Sequence, residues 1–287
     1  MPRMPRATPG GIVYHVLNRA NAGMKMFRSK GEYAAFEQAL EEAHARVPVR
    51  LLAYCLMPDH WHLVIWPRRT RELSEFMRWL TVTHTRRWHA QRHVSGSGHL
   101  YQGRYRSFPI EPGEPLVDVL RYIESNPKRD KRVTKAEDWP WSSLGRRLKG
   151  ERRPRAASDA SDAIAALLDE GPGALPRGWL AKVNAPLEPE VLKALRNSVQ
   201  RGTPYGSTKW RARMVDKLGL EHTMRPRGRP RIHPLPEAEG VEARAAKGPK
   251  RLDGKPGRPG GPRPVIARRA ASPVPQKPRS GSPKRKK

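Results

Sequence analysis

Residues 49–66 read VRLLAYCLMPDHWHLVIW and predict a β-hairpin. Val49 to Met57 is an apolar run of strand length, and His60 to Trp66 is a second one. Between them stands Pro58-Asp59, a residue pair typical of turns. Strands joined by so short a turn pair antiparallel, so the two runs are expected to lie side by side in one sheet.

Strand and helix patterns alternate on both sides of this hairpin. Apolar runs predict further strands at Ile12–Leu17 and Tyr105–Ile110, and helical spacing predicts helices at Glu32–Ala45, Glu72–Gln91 and Pro115–Ser125. The resulting order, βαββαβα, predicts an α+β fold of the ferredoxin-like type, an antiparallel sheet with helices on one face. A small helical C-terminal region follows, with short helices predicted at Asp159–Leu168, Glu188–Gln200 and Trp210–Leu218.

The charge of the chain is large and unevenly distributed. Its 287 residues include 57 Lys and Arg against 27 Asp and Glu, a net charge of +30. Residues 225–287 hold 19 of the basic and 4 of the acidic residues, together with 13 prolines. Such a segment buries too little apolar surface to offset its ordering entropy. We therefore predict a folded domain over residues 1–145, a helical extension over 146–231 and a disordered Lys/Arg/Pro-rich tail over 232–287.

The composition also excludes several classes of protein. The positive charge indicates a polyanionic partner, nucleic acid before anionic lipid. No apolar run approaches the roughly 18 residues of a membrane span, and the N-terminus leads into Gly10-Gly11 rather than an apolar signal core. The single cysteine, Cys55, excludes an internal disulfide framework and a cysteine-based zinc finger. We predict a cytoplasmic, nucleoid-associated protein without a membrane partner.

His60 and His62 form the first candidate site. Residues two apart on a strand point to the same face of the sheet, so the two imidazoles are expected to lie side by side. Such a pair suits a divalent metal with one further ligand and open positions for substrate. The alternative is two packed or surface histidines on an amphipathic strand.

Tyr122 and Asn126 form the second candidate site, on the helix predicted after the fourth strand. With Asp118 they lie four residues apart, which places them on one polar seam beside the apolar stripe. Tyr122 offers a hydroxyl, and Asn126 offers a neutral oxygen ligand. The alternative is a half-buried tyrosine and an asparagine that ends the helix before Pro127.

Four motifs, in this order, make the chain resemble one family. They are Met57–Leu63 (MPDHWHL), Tyr101–Ser107 (YQGRYRS), Tyr122–Pro127 (YIESNP) and Trp139–Ser143 (WPWSS). The chain resembles the REP-associated tyrosine transposases, a bacterial branch of the single-strand transposases with a His-hydrophobic-His motif and one catalytic tyrosine. The resemblance runs from about Gly10 to Leu144 and resumes over Arg201–Ser207, Leu218–Leu220 and Arg225–Arg231.

The resemblance implies a metal-dependent endonuclease and transposase acting on single-stranded DNA. It implies that His60, His62 and Asn126 are ligands of Mg²⁺ or Mn²⁺ and that Tyr122 is the nucleophile. The implied products are a 5′-phosphotyrosine and a free 3′-OH, which are rejoined without ATP. Because a phenol attacks poorly until it ionises, a positive charge is expected near Tyr122. The implied partners are hairpins of repetitive extragenic palindromes, cut beside a short guide sequence by a monomer or homodimer.

Other assignments remain open from the residues alone. Tyr101 and Tyr105 are rival nucleophiles, but the residues four positions on, Tyr105 and Pro109, are not ligand types. A second hypothesis is a catalytically silent nucleic-acid-binding regulator on the same fold. A ribosome- or lipid-associated basic protein would explain the charge but neither candidate site.

Basic side chains are predicted to hold the DNA strand. Arg104 and Arg106 alternate along the predicted fourth strand, and guanidinium groups bind phosphates and base edges. The alternative for each arginine is an ordinary solvated face. Further candidates on the second helix are Arg78, Arg86 and Arg87. The resemblance places His15, Asn18 and Arg19 near the guide sequence. The last candidates are Arg225, Arg227, Arg229 and Arg231, in a segment that is similar to an AT-hook or else is a nonspecific basic tail.

Overall fold

The predicted hairpin forms the centre of a four-stranded sheet. In the computed structural model, which describes residues 8–93, 98–152, 168–169, 171–173 and 175–225, β2 is Arg50–Met57 and β3 is His60–Trp66. β1 (Val13–Arg19) pairs with β3 and with β4 (Arg106–Ile110), and all three pairings are antiparallel. The sheet order β2-β3-β1-β4 confirms the ferredoxin-like fold class.

Two long helices cover one face of the sheet. α1 (Lys30–Arg46) begins after Ser29, whose hydroxyl accepts from the Glu32 amide while the Glu32 carboxylate accepts from the Ser29 amide. α2 (Glu72–Arg92) follows β3. The layer between these helices and the sheet is apolar and includes Tyr14, Phe36, Trp61, Leu63 and Phe76.

The third helix, α3 (Glu114–Glu124), packs on the opposite face, which corrects the prediction that the helices lie on one face. Its apolar stripe is buried with side chains that point away from α1 and α2, among them Val13, Val64 and Phe108. The strands are therefore apolar on both faces, and a sheet of this kind requires cover on both sides.

Further helices follow α3 along the chain. They are α4 (Asn126–Arg129), α5 (Ser143–Arg152), α6 (Trp179–Asn184), α7 (Pro189–Arg201), α8 (Thr208–Leu218) and α9 (Glu221–Met224). α6 and α7 contact α3, and α7 also contacts β4. α7 and α8 confirm two predicted helices, whereas α6 was not predicted. None of the helices in the described ranges is both long and apolar enough to cross a membrane.

Two predictions fall on other parts of the chain. The helix at Asp159–Leu168, apart from its last residue, and the tail at 232–287 lie outside the described residues. The division of the chain at 145/146 and 231/232 remains a prediction.

A buried carboxylate joins the end of α3 to α5 and α6. Glu124 is fully buried and accepts hydrogen bonds from Ser143 Oγ (2.5 Å), Arg147 Nε (3.1 Å) and Trp179 Nε1 (2.7 Å). Because an unpaired buried carboxylate is very costly, these donors tie the end of α3 to the helices that follow it.

Candidate active site

The sheet brings the two candidate sites into one cavity. His60 and His62 of β3 line a cavity of about 760 Å³, and Tyr122 and Asn126 line it from the α3 side. The cavity is positively charged, since one carboxylate, Asp130, lines it together with Arg19, Arg104, Arg106, Arg129 and Arg196. Guanidinium groups at this density suit a phosphodiester backbone.

His60 is held by its neighbour in the sequence. Its Nδ1 lies 2.7 Å from Asp59 Oδ1, so Nδ1 carries the proton and donates to the carboxylate. This hydrogen bond keeps the pKa of Asp59 below its ordinary value. The second nitrogen, Nε2, therefore presents a lone pair, and it lies 3.2 Å from Asn126 Nδ2.

His62 is held from behind by a residue that was predicted to contact DNA. Its Nδ1 lies 2.8 Å from Nε2 of His15 on β1, and the two rings stack at 5.0 Å. Burial is the main cause that lowers the pKa of His62 well below its ordinary value, and burial lowers the pKa of His15 to about 3. Both imidazoles are therefore neutral. Because His15 is fully buried, it has no surface for DNA, and its role as a DNA contact was wrongly predicted.

Tyr122 lies between an imidazole and a guanidinium. Its ring meets the His62 ring edge-on at 6.1 Å, and the Arg129 guanidinium lies 4.0 Å from the centre of its ring. Arg129 Nη1 also donates to the backbone carbonyl of Tyr122 at 2.9 Å. Arg129 thus places the expected positive charge beside the phenol. Arg129 was not among the predicted site residues, although it ends the short helix α4, two residues after Pro127.

Asn126 stands just beyond the helix that carries Tyr122. α3 ends at Glu124, and Asn126 is the first residue of α4, in agreement with the prediction that Pro127 ends the longer helix. Asn126 nonetheless reaches the cavity. The predicted seam is not continuous, because the Asp118 carboxylate accepts from the hydroxyl of Tyr205 at 3.1 Å instead.

The side chains of His60, His62 and Asn126 fit a divalent ion, and hydrogen bonds to the two imidazoles contribute to this fit. In the described ranges, no cluster of three or more His, Cys, Asp or Glu side chains suits a metal, so the available ligands are two imidazoles and one amide. The outer nitrogen of each imidazole is held, by Asp59 for His60 and by His15 for His62. Such outer partners fix the tautomer of metal-ligating histidines. The residues present could therefore hold Mg²⁺ or Mn²⁺ through His60 Nε2, His62 Nε2 and the Asn126 oxygen.

The rival tyrosines are placed for packing. The hydroxyl of Tyr101 lies 2.5 Å from His84 Nδ1 and accepts from Trp61 Nε1 at 3.2 Å. Burial raises the pKa of Tyr101. Tyr105 is mostly buried and lines a different cavity. Neither lines the cavity that contains His60 and His62.

The second cavity, of about 1400 Å³, lies along α2 and adjoins the first. Asn18, Gly103 and Arg104 line both cavities, so these residues form their shared border. Arg78 and Arg86 line the second cavity, and Arg104 and Arg106 line the first, as a role in DNA binding requires. Asn18 Nδ2 donates to the Gly103 carbonyl.

The other predicted DNA contacts are placed differently. Arg19 is half-exposed, with Nε 3.8 Å from Asp59 Oδ2. Arg87 lines neither cavity and donates twice to Glu42 of α1, at 2.9 and 2.7 Å, which argues against its predicted contact with DNA. The Arg225 carbonyl accepts from Arg201. The predicted contacts Arg227, Arg229 and Arg231 lie outside the described residues.

Comparisons with known proteins bear on the same part of the chain. Residues 10–126 match the family model described as "Transposase IS200 like". A Haemophilus influenzae protein named as a REP-associated tyrosine transposase is 27% identical over 127 residues, covering 42% of this chain and 72% of its own length. A solved structure of a REP-associated tyrosine transposase bound to a REP hairpin matches with a TM-score of 0.44 at 20% identity, covering 55% of this chain and 93% of that one.

Proposed function

We propose that the chain is a metal-dependent single-stranded DNA endonuclease and strand transferase, on the premise that residues 10–126 match the family model described as "Transposase IS200 like". Its proposed substrates are hairpins of the repetitive extragenic palindrome type, which the name of the Haemophilus influenzae relative suggests. The observation that carries the proposal is the convergence of His60, His62, Tyr122 and Asn126 on one arginine-lined cavity. These residues come from two segments far apart in the sequence, β3 on one side and the region of α3 and α4 on the other.

The proposed reaction is a transesterification with Tyr122 as nucleophile. The phenol oxygen bonds to phosphorus as the bond from phosphorus to the 3′ oxygen breaks, and the phenol proton is balanced by the proton that the 3′ oxygen gains. Arg129 lies against the ring and stabilises the phenolate as it forms. His60, His62 and Asn126 would hold Mg²⁺ or Mn²⁺, which would supply polarisation of the scissile phosphate. One phosphodiester replaces another, so the reverse reaction rejoins the strand without ATP.

The shape of the surface supports a path for the DNA strand. The two cavities share Asn18, Gly103 and Arg104 as lining residues, and Arg78 and Arg86 line the one along α2. A strand with its scissile phosphate near Tyr122 is proposed to run past Arg104 into the cavity along α2. Phosphate contacts of this kind position the strand but do not select its sequence.

The proposal is tested by trapping the covalent intermediate. A labelled single-stranded hairpin is incubated with the full-length protein in Mn²⁺ or in EDTA, and adducts are resolved on a denaturing gel. We expect an adduct in Mn²⁺ that is absent in EDTA and absent from Tyr122→Phe. Tyr205→Phe is the matched control, because that tyrosine lines neither cavity and should still form the adduct.

Two other outcomes would change the assignment. An adduct that persists in Tyr122→Phe would show that another residue is the nucleophile. Tight binding of the hairpin without an adduct in any metal would instead identify a catalytically silent DNA-binding regulator on the same fold.

A further inference from the structure

The amide of Asn126 bridges a proposed metal ligand and an arginine. Its Oδ1 accepts from Arg129 Nη2 at 2.7 Å, and its Nδ2 lies 3.2 Å from His60 Nε2. The same guanidinium is fixed by its other nitrogen, since Nη1 donates to the Tyr122 carbonyl at 2.9 Å and to Ser125 Oγ at 3.1 Å. The contact to Asn126 is therefore only one of the bonds that hold Arg129 in place.

The orientation of this amide is dictated by chemistry. A guanidinium has donors and no acceptor, so the oxygen of Asn126 has to face Arg129. The amide nitrogen then faces His60. Nε2 of His60 accepts this hydrogen bond because the ring proton is on Nδ1, which donates to Asp59. The reversed amide would set donor against donor at Arg129 and acceptor against lone pair at His60.

This arrangement occupies two of the atoms that a metal would use. The lone pair of His60 Nε2 accepts from Asn126, and the oxygen of Asn126 accepts from Arg129. Rotation of the Asn126 amide frees the lone pair of His60 Nε2 and turns the Asn126 oxygen towards the metal site. The same rotation breaks the bond from Arg129 to Asn126. The state of Arg129 therefore decides which end of the Asn126 amide faces His60.

We propose that Arg129 couples binding of the DNA phosphate to completion of the metal site. Arg129 lines the cavity, and a phosphate oxygen is a charged acceptor that makes stronger hydrogen bonds than a neutral amide oxygen. A phosphate in the cavity takes over Nη2 while Nη1 keeps its backbone contact, and Asn126 then turns its oxygen towards the metal. Arg129 is thus a positioning residue for Asn126. This inference rests on the proposed function.

The coupling is measured as the affinity for Mn²⁺ with and without DNA. Full-length Tyr122→Phe protein, which leaves the strand uncut, is titrated with Mn²⁺, and free Mn²⁺ is followed by electron paramagnetic resonance. The titration is repeated with a saturating single-stranded hairpin, and a variant that also carries His60→Ala and His62→Ala gives the blank for Mn²⁺ bound by DNA. We expect DNA to tighten Mn²⁺ binding at least fivefold, within the usual range of coupling.

Two substitutions in the same background separate coupling from simple charge effects. Arg129→Ala should bind Mn²⁺ tightly without DNA and lose the dependence on DNA. Arg196→Ala, the matched control, removes another arginine of the cavity and should keep the dependence once the DNA is saturating. Circular dichroism establishes that each variant is folded.

A third substitution keeps the test decisive should Arg129→Ala not fold. Asn126→Asp has no amide nitrogen to occupy His60, so it should also bind Mn²⁺ without needing DNA. Equal Mn²⁺ affinity with and without DNA in the parent protein, or unchanged coupling in Arg129→Ala or Asn126→Asp, overturns the inference alone. The absence of any Mn²⁺ binding above the blank overturns the metal dependence of the proposed function, and the inference with it.

Discussion

Replacing His15 by phenylalanine should weaken Mn²⁺ binding to the full-length protein about 10- to 100-fold, which is about 1.4 to 2.8 kcal/mol. His15 Nε2 is the partner of His62 Nδ1 at 2.8 Å, and both rings are buried. Phenylalanine fills a similar volume but accepts no hydrogen bond. In the tautomer that leaves His62 Nε2 free for a metal, His62 Nδ1 carries the proton, and the loss of its acceptor costs about 1 to 3 kcal/mol. His62 avoids that cost by changing tautomer, which removes the lone pair from Nε2.

The effect on global stability should be smaller than the effect on the metal. His15 Nδ1 is a buried polar atom with no hydrogen-bond partner among the described residues, so His15→Phe removes one unsatisfied atom as it creates another. Mn²⁺ affinity is measured by titration, and the tautomer of His62 by ¹⁵N chemical shifts of its ring. The two measurements separate a change at His62 from a general loss of structure.

His84→Phe is the matched control for this substitution. His84 is also buried, and burial lowers its pKa to about 3, but its partner is Tyr101 in the layer under α1 and α2. Its replacement should leave Mn²⁺ affinity unchanged. Wild-type affinity in His15→Phe, or an equal loss in His84→Phe, would refute the assignment of His15 as the partner that orients His62.

Two further predictions concern pH and salt. Because the pKa of His84 is about 3 in the folded chain and about 6.5 when unfolded, the unfolded chain binds more protons between these values, and the free energy of unfolding falls as the pH decreases. His84→Phe should therefore lose about 2 kcal/mol less than the parent between pH 7 and pH 5 in urea titrations; an equal loss would contradict the burial argument. Replacing both Arg78 and Arg86 by glutamine should lower the salt slope of single-strand binding by about 1.4, measured by fluorescence anisotropy. Arg87→Gln, whose guanidinium is paired with Glu42, should leave the slope unchanged, and a similar decrease there would argue against the proposed DNA path.

Local patterns predicted the elements that carry the site. The bounds of β3, His60–Trp66, agree with the prediction because Pro58-Asp59 interrupts two apolar runs. The start of α2 at Glu72 also agrees, since helical spacing begins there. The predicted pairs, His60 with His62 and Tyr122 with Asn126, each line the cavity. The cavity joins those two sets.

Contacts between distant segments could not be read from the same patterns. His15 and His62 meet because β1 pairs with β3 in a register that sets Leu17 opposite His62 and His15 opposite Val64. That register is fixed by the assembled sheet and not by either segment alone. The face chosen by α3 was likewise undetermined, because helical spacing shows which residues are buried but not which side of a doubly apolar sheet buries them.

The contacts of Glu124 have a consequence for how strands are exchanged. Glu124 follows Tyr122 by two residues, and three donors from α5 and α6 bind its buried carboxylate. Swinging α3 outward would break all three bonds and expose a carboxylate that is now fully paired. In the proposed reaction the 5′ end of the DNA is linked to Tyr122, and it therefore stays in one position for the lifetime of the covalent intermediate. The free 3′-OH end is the one that moves away. A new strand is joined when its own 3′-OH reaches the phosphotyrosine at Tyr122.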